Sequence, residues 1–557
     1  MPQSSQPART INALLDASCE KFADRPALSL AFQDPLTYQE LRGNILRVAA
    51  KLSAWGLSTG DRVAILAENS PQWCMAYLGA VRIGVVVVPI LPDFPESDIL
   101  HILPDAGVRL LFTTEKQIEK IGELAVCSLG KVVTLDDYRG HREICETITF
   151  SDFLAADTSR KEHPATPPDS QDLASIIYTS GTSGHSKAVM LSHGNLCANV
   201  HSASGLVNIT PDWTFVSVLP ISHTYEFTVG FLLPIRQGAR VVYCGQRPTP
   251  TVLHKICAVE RPTVMCVVPM IMEKIYKKRV LPALSTGRFL PLLLKFPPLR
   301  RRILVKIASK LMQFFGGKLQ LMAIGGAALN IEVEKFLHES GFPYIVGYGL
   351  TECSPLVAGG PFGDPTIALG SCGKPVPRVS VRIAEPDPVT GVGEIMARGA
   401  NAMQGYFHNP EATAVTLDGD GWVATGDLGH FDQQNNLFIT GRTKSVIVLS
   451  HGENIYPEAI EEKLNSSIYV AESLVTGSED RLIATVYPDY EYLDLETKGQ
   501  SESDKFRHIS AILREIQRTV NSQLPQYSQI SKIVERQEPF IKTATHKIKR
   551  YLYSGCA

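Results

Sequence analysis

The sequence predicts an α/β protein with a largely parallel, helix-covered sheet, on three observations. An apolar run, Arg62–Leu66, follows Gly60-Asp61, and Ser70-Pro71 then reads as an N-cap with proline at the first helical position, opening a helix to about Arg82. Gly84 stops that helix and the β-branched run Val85–Pro89 follows, completing a βαβ unit, which favours parallel strands covered by helices. The alternation returns later as strand Thr263–Val268, helix Pro269–Lys277, strand Leu319–Ile324, helix Asn330–Ser340 and strand Tyr344–Tyr348.

At 557 residues the chain is too long for one core, so roughly two to four units are expected. A formal net charge of −2 gives the chain as a whole no electrostatic reason to seek nucleic acid. The 11 cysteines are odd in number and include no C-x-x-C, which fits a reduced, cytoplasmic protein better than a disulfide framework. The N-terminus, MPQSSQPARTINALLD, has no long apolar stretch of a secretory signal, and no apolar run reaches the ~20 residues of a membrane span. Polar, proline-rich Asp157–Gln171 predicts a loop, acidic and serine-rich Glu491–Asp504 an exposed surface loop, and a further boundary falls near Gly441–Lys444.

The β-rich run Leu173–Tyr178 enters Thr179-Ser180-Gly181-Thr182-Ser183-Gly184-His185-Ser186-Lys187, and Val189–Leu191 is apolar again. Glycines let backbone N–H groups converge on phosphate oxygens, small hydroxyls add donors, and Lys187 adds a point charge, so this loop is a candidate anion cradle; a polar surface loop is the alternative on composition alone. It is neither a Walker A loop, since Gly184 stands three residues before Lys187 and Ala188 follows, nor a G-x-G-x-x-G turn.

Tyr178–Lys187 resembles the signature Y-T-S-G-T-[TS]-G-x-P-K-G of the adenylate-forming superfamily, which includes acyl-CoA synthetases, luciferase and peptide-synthetase adenylation domains; Ser186 replaces the usual proline and Ala188 the usual glycine. Further segments resemble the family's motifs in the same order. Gly325-Gly326-Ala327-Ala328-Leu329 is similar to its GGAPL turn, whose small residues let adenine lie against backbone. Gly347-Tyr348-Gly349-Leu350-Thr351-Glu352 is similar to GYGxTE, which implies Tyr348 on the adenine face, Thr351 at the α-phosphate and Glu352 on Mg²⁺. Thr425-Gly426-Asp427 is similar to TGD, with Asp427 accepting the ribose hydroxyls. Gly441-Arg442-Thr443-Lys444 resembles the hinge region, with Arg442 reaching the ribose and Lys444 at the hinge. His451–Glu458 resembles GENIYPxEIE, placing Gly452 beside the pantetheine tunnel, and Pro539–Arg550 resembles the terminal motif, with Lys547 as the catalytic lysine and His546 in place of a glycine. His223, in Leu219–Glu226, matches a position near the acyl pocket of relatives; Gly347 is a further candidate for the acyl and coenzyme A side.

The resemblance spans nearly the whole chain. It implies a large N-terminal domain, residues 1–441, of mostly parallel sheets with a β-barrel-like subdomain, and a small mobile α+β domain, residues 442–557. It further implies an ATP- and Mg²⁺-dependent ligase that makes an acyl-adenylate and then an acyl thioester of coenzyme A. An acyl-carrier-protein acceptor, another carboxylic acid, a luciferase-like oxygenase and a silent acyl- or nucleotide-binding protein are the alternatives. A long-chain fatty acid is the favoured substrate, because the stretch 288–315 resembles an insertion of long-chain fatty acyl-CoA synthetases. There Arg302, Lys306, Ser309 and Lys310 alternate at helical spacing with Ile303, Leu304, Ile307 and Leu311. Such a helix can lie on the inner surface of an anionic membrane or pack its apolar side on the protein's own core.

Overall fold

The computed structural model describes residues 8–122, 131–138, 147–155, 167–179, 186–285, 293–448, 454–478, 481–497, 499, 501–543 and 547–553. Among them two large sheets form the N-terminal part. One has parallel strands Leu321–Gly325, Val264–Val267, Thr214–Ser217 and Arg240–Tyr243 side by side; the other runs through Leu173–Thr179, Val86–Ile90, Arg62–Leu66 and Val108–Thr113. Their central strands are buried on both faces, as parallel strands between helical layers must be.

The helix Pro71–Arg82 shows why the two sheets stack. Ser70 caps it, accepting from the Trp73 N–H, and nearly all of its residues are buried. The Tyr77 hydroxyl meets Ser175 Oγ of one sheet at 2.6 Å, and Cys74 Sγ meets the Tyr243 hydroxyl of the other at 2.9 Å. Trp73 stacks on Tyr77 at 5.5 Å, and Tyr77 meets Phe227 at 4.5 Å. A helix apolar all round can only be an interior helix, and this one lies in the core shared by the sheets. Separate clusters cover the outer faces: Pro250–Glu260, Pro297–Phe314 and Ile331–Ser340 on one side, Glu96–Asp105 and Glu115–Ile121 on the other. The result is a layered α/β fold.

Four antiparallel strands, Val379–Ala384, Gly393–Gly399, Val423–Phe431 and Leu437–Arg442, form a third sheet. Beyond it lies a small α+β unit with its own core. Strand Val470–Ser478 pairs antiparallel with Arg481–Pro488, which pairs parallel with Ile530–Glu535, and helices Pro457–Asn465 and Glu502–Asn521 pack on them.

One expectation is corrected here. Glu491–Asp504 is not a surface loop: helix Tyr490–Glu496 occupies its first half and Glu502–Asn521 begins in its second. Ser501 Oγ accepts from the Asp504 N–H at 3.2 Å, and Glu502 and Asp504 sit in the first turn, where carboxylates favour the positive end of the helix. The serine and the acids are helix-start chemistry ahead of the buried stripe Ile509, Leu513, Ile516 and Val520. Of the predicted loop Asp157–Gln171, residues 157–166 lie outside the described residues.

Candidate active site

The site lies at the ends of two adjacent parallel strands. Leu321–Gly325 and Tyr344–Gly349 run in register, with Gly325 opposite Gly347. Gly326 turns the chain with φ of +91°, which L side chains rarely adopt, and Gly326, Ala327 and Ala328 are exposed. Gly349 passes so near the Pro355 carbonyl that a Cβ would sit 2.2 Å from its oxygen, so this strand end admits only glycine.

Asp427, 7% exposed, is held from two sides. The Tyr348 hydroxyl donates to Oδ2 at 2.7 Å, and Arg442 Nε lies 3.1 Å from Oδ1. Arg442 is there because the strands Val423–Phe431 and Leu437–Arg442 place it directly opposite Asp427. Burial, and then the neighbouring Asp427 carboxylate, hold the Tyr348 phenol well above its ordinary value, so Tyr348 keeps its proton and acts as donor. Before Asp427 the chain turns at Gly426, with φ of +70°, and the Gly426 N–H donates to Glu394 Oε1 at 3.0 Å.

Glu352 follows on the short turn Thr351–Cys353. It accepts from the Tyr406 hydroxyl at 2.7 Å, and Lys187 Nζ stands 4.4 Å from the centre of the same ring. Tyr406 comes from the strand Gly405–Tyr406, which pairs with Val189 and Met190 just beyond Lys187. Burial lowers the Lys187 amine, Glu352 opposes that shift and Lys444 adds to it. The base of the loop is closed by antiparallel pairing of Thr179 with Lys187, and Thr179 Oγ1 donates to the Lys187 carbonyl at 3.3 Å. Ser180, Gly181, Thr182, Ser183 and Gly184 lie outside the described residues. Mg²⁺ is satisfied by one or two carboxylates together with phosphate oxygens. Glu352, half-buried and with one oxygen hydrogen-bonded, fits that demand; no cage of three ligating side chains exists among the described residues.

Lys547 brings the small C-terminal unit to the same place. Burial lowers its amine to about 8, with Arg442 adding to the shift and Asp427 and Glu352 opposing it. Water still reaches the residue, so the amine stands in a crowded cleft rather than in a sealed core. Its loop is pinned by two contacts with Thr543, whose N–H donates to the Lys547 carbonyl at 2.8 Å and whose Oγ1 accepts from the Lys547 N–H at 3.2 Å. His223 lies within electrostatic reach of this amine. Burial, and then Lys547, push the imidazole down to about 4. Its Nδ1 accepts from the Tyr225 N–H at 3.2 Å, which leaves the proton of the neutral ring on Nε2.

Two residues beyond His223, Tyr225 forms part of the wall of a small apolar cavity of about 60 Å³. Gly347, Leu206, Phe215, Val264, Leu321 and Ala203 line it as well. The Tyr225 hydroxyl donates to the Ala323 carbonyl at 3.0 Å, so its polar end is already occupied.

Thus Lys187, Tyr348, Thr351, Glu352, Asp427, Arg442, Lys444 and Lys547, scattered over the sequence, come together in one region, and Gly347 lines the apolar cavity, with His223 two residues from Tyr225 of its wall. Gly452 lies outside the described residues. Sequence reasoning missed Tyr406, Glu394, Tyr225 and Lys277. The Lys277 ammonium donates to the Val470 carbonyl at 2.9 Å and the Ser467 carbonyl at 3.3 Å, bridging the N-terminal part to the C-terminal unit. No periodicity or turn signal marks these residues, because their partners lie far away in the chain.

The profile of the AMP-binding enzyme family matches residues 15–407, and that of the AMP-binding enzyme C-terminal domain matches residues 444–553. A long-chain-fatty-acid–CoA ligase of Bacillus subtilis (strain 168) is 28% identical over 575 residues, covering 98% of this chain and 94% of its own length. A ligase of Mycobacterium tuberculosis (strain ATCC 25618 / H37Rv) that joins a methyl-dioxo-octahydroindenyl propanoyl group to CoA is 30% identical over 490 residues, covering 86% and 88%. Among solved structures, the anthranilate CoA ligase AuaEII in complex with anthranoyl-AMP superposes with a TM-score of 0.79 over 98% of this chain and 96% of its own, at 21% identity, a likeness of fold.

Proposed function

We propose that this chain, which belongs to the AMP-binding enzyme family, activates a long-chain fatty acid with ATP and transfers the acyl group to coenzyme A. The observation that carries this reading is the Lys547 amine within electrostatic reach of Asp427, Arg442, Glu352 and His223, with Tyr225, two residues past His223, in the wall of an apolar cavity. In the first half-reaction a carboxylate oxygen attacks the α-phosphorus of ATP and the bond to pyrophosphate breaks, giving an acyl-adenylate. Such displacement needs positioning and charge neutralisation more than covalent help. Asp427 and Arg442 fix the ribose, Tyr348 the adenine, Thr351 the α-phosphate, and Thr179 to Lys187 the outer phosphates. Mg²⁺, held by Glu352 and phosphate oxygens, would supply positive charge at the phosphates. Lys547 bridges the substrate carboxylate and the α-phosphate. In the second half-reaction the thiol sulfur attacks the acyl carbonyl, AMP leaves and the thiol proton passes to solvent. We place the domain division at 441/442, with Lys444 as the hinge that withdraws Lys547 and presents Gly452 to the thiol. The reaction is assigned to the cytoplasm.

The cavity supports an apolar acyl group, and chain length is the point to test. ATP–pyrophosphate exchange with straight-chain acids from C2 to C20, without coenzyme A, is expected to be fastest with the long acids. Ala203→Phe, which adds a ring at the cavity wall, is expected to lower the long-to-short ratio of kcat/KM at least about tenfold. Exchange restricted to short or aryl acids would remove the fatty acid; binding without exchange for every acid would leave a silent binder. Acyl transfer to a carrier protein and not to coenzyme A would change the acceptor.

The Lys277 bridge predicts a separate effect. It fastens the C-terminal unit in the arrangement that brings Lys547 to the cleft. A hydrogen bond from a charged donor contributes about 1.5–3 kcal/mol. Lys277→Met is therefore expected to slow acyl-adenylate formation about tenfold while leaving thioester formation from supplied acyl-adenylate unchanged or faster, in single-turnover assays of each half-reaction. Equal slowing of both would show that Lys277 only stabilises the fold.

A further inference from the structure

The helix Pro297–Phe314 packs Leu304, Ala308, Leu311 and Phe314 into the core. Its opposite face is unusual. Arg302, Lys306 and Lys310 recur every four residues, so they form one ridge along the exposed side, and the helix contains no acidic residue. Neither these three nor Arg301 and Lys295 form an ion pair with any acidic residue among the described residues; only Arg300 does, with Glu339. Like charges four residues apart destabilise a helix, so the ridge costs the free protein stability and gains nothing within it. Beside the cations the surface is apolar: Leu293 is 39% exposed, Phe296 54%, Leu299 38% and Val305 43%. The first three cluster around the turn that opens the helix, where the Phe296 N–H donates to the Leu293 carbonyl.

We propose that this face docks on an anionic lipid bilayer, with Arg302, Lys306 and Lys310 among the headgroups and the turn Leu293–Phe296 pressed into the boundary of the acyl region. Cations and exposed apolar side chains on one face are what an interfacial helix requires, and the anionic leaflet supplies the complementary charge. A second copy of this chain fits the face poorly, because a two-fold contact would bring the two cationic ridges together. Nucleic acid would leave Leu293, Phe296 and Leu299 without a partner. The proposal is independent of the acid that the enzyme activates.

Sedimentation of the full-length protein with vesicles tests it. Wild type is expected to bind vesicles of phosphatidylcholine with roughly one-third phosphatidylserine, to bind pure phosphatidylcholine far more weakly, and to detach as salt is raised. The triple variant R302E/K306E/K310E is expected to bind the anionic vesicles at least about 100-fold more weakly. Phe296→Ser is expected to weaken binding at every salt concentration, while ATP–pyrophosphate exchange with a water-soluble acid is unchanged in both variants. All four side chains are exposed, so the fold should persist; should the triple reversal not fold, the corresponding glutamine triple carries the same test. No sedimentation of wild type at low salt, equal binding of the triple variant, or a wild-type dimer that the triple variant breaks into monomers would each overturn the proposal.

Discussion

Lys547→Ala is expected to lower acyl-adenylate formation by at least about 100-fold, a loss of ~3 kcal/mol of transition-state stabilisation, while sparing thioester formation from supplied acyl-adenylate. The expectation rests on position. The Lys547 amine is shifted by Asp427 and Glu352 and itself lowers the His223 imidazole, and a cation there serves only the step in which carboxylate and α-phosphate must approach. The pH dependence gives the sign independently. Crowding lowers the amine to about 8, so the ammonium is present below that pH and is lost as pH rises through it. The first half-reaction should therefore fall above pH 8, about tenfold per unit, and Lys547→Arg should remove that fall even where it slows the step. His223 cannot be the source, since its imidazole is pushed down to about 4 and stays neutral from pH 6 upward. Rapid quench of each half-reaction across this range checks both points. Equal loss of the two half-reactions on Lys547→Ala would contradict alternation between two arrangements.

How far this site could be read from the sequence depended on whether a residue's partner was local. The helix after Arg62–Leu66 was legible to the residue, because its cap, Ser70, and its first-turn proline are neighbours in the chain. Strand ends were legible to within one or two residues; Thr263–Val268 was expected and Val264–Val267 is found, since the last pairs depend on the neighbouring strand. Glu491–Asp504 was misread because serine and acidic residues serve loops and helix starts alike, and only the stripe from Ile509 onward decides between them. Lys187, Glu352, Asp427 and Lys547 could be named from motifs, but not the contacts that orient them. Tyr406 reaches Glu352 through a two-residue strand pairing across more than two hundred residues of chain. Nothing in Gly405-Tyr406 announces that.

Asp427→Ala is expected to raise the KM for ATP about 100-fold with a smaller fall in kcat, because in the proposed reaction its carboxylate holds the ribose and so the nucleotide as a whole, not only the reacting phosphate. Tyr348 takes a position on Oδ2 and Arg442 one on Oδ1. An ionised carboxylate has about four lone-pair sites, so one remains on each oxygen to accept a ribose hydroxyl. Truncation also leaves the half-buried Tyr348 hydroxyl without its acceptor, at about 1–3 kcal/mol or less, which should lower Tm by several degrees or less in a chain of this size. Asp427→Asn keeps the shape but loses the charge, and an intermediate KM is expected. The charge also connects this variant to the first. Asp427 opposes the lowering of the Lys547 amine, and Arg442, freed of its carboxylate, adds to it. Without Asp427 the ammonium is lost at lower pH, so the alkaline fall of the adenylating step should begin below pH 8 in both variants. A lower Tm with unchanged KM and an unmoved pH profile would make Asp427 a strut for Tyr348 and Arg442 and nothing more.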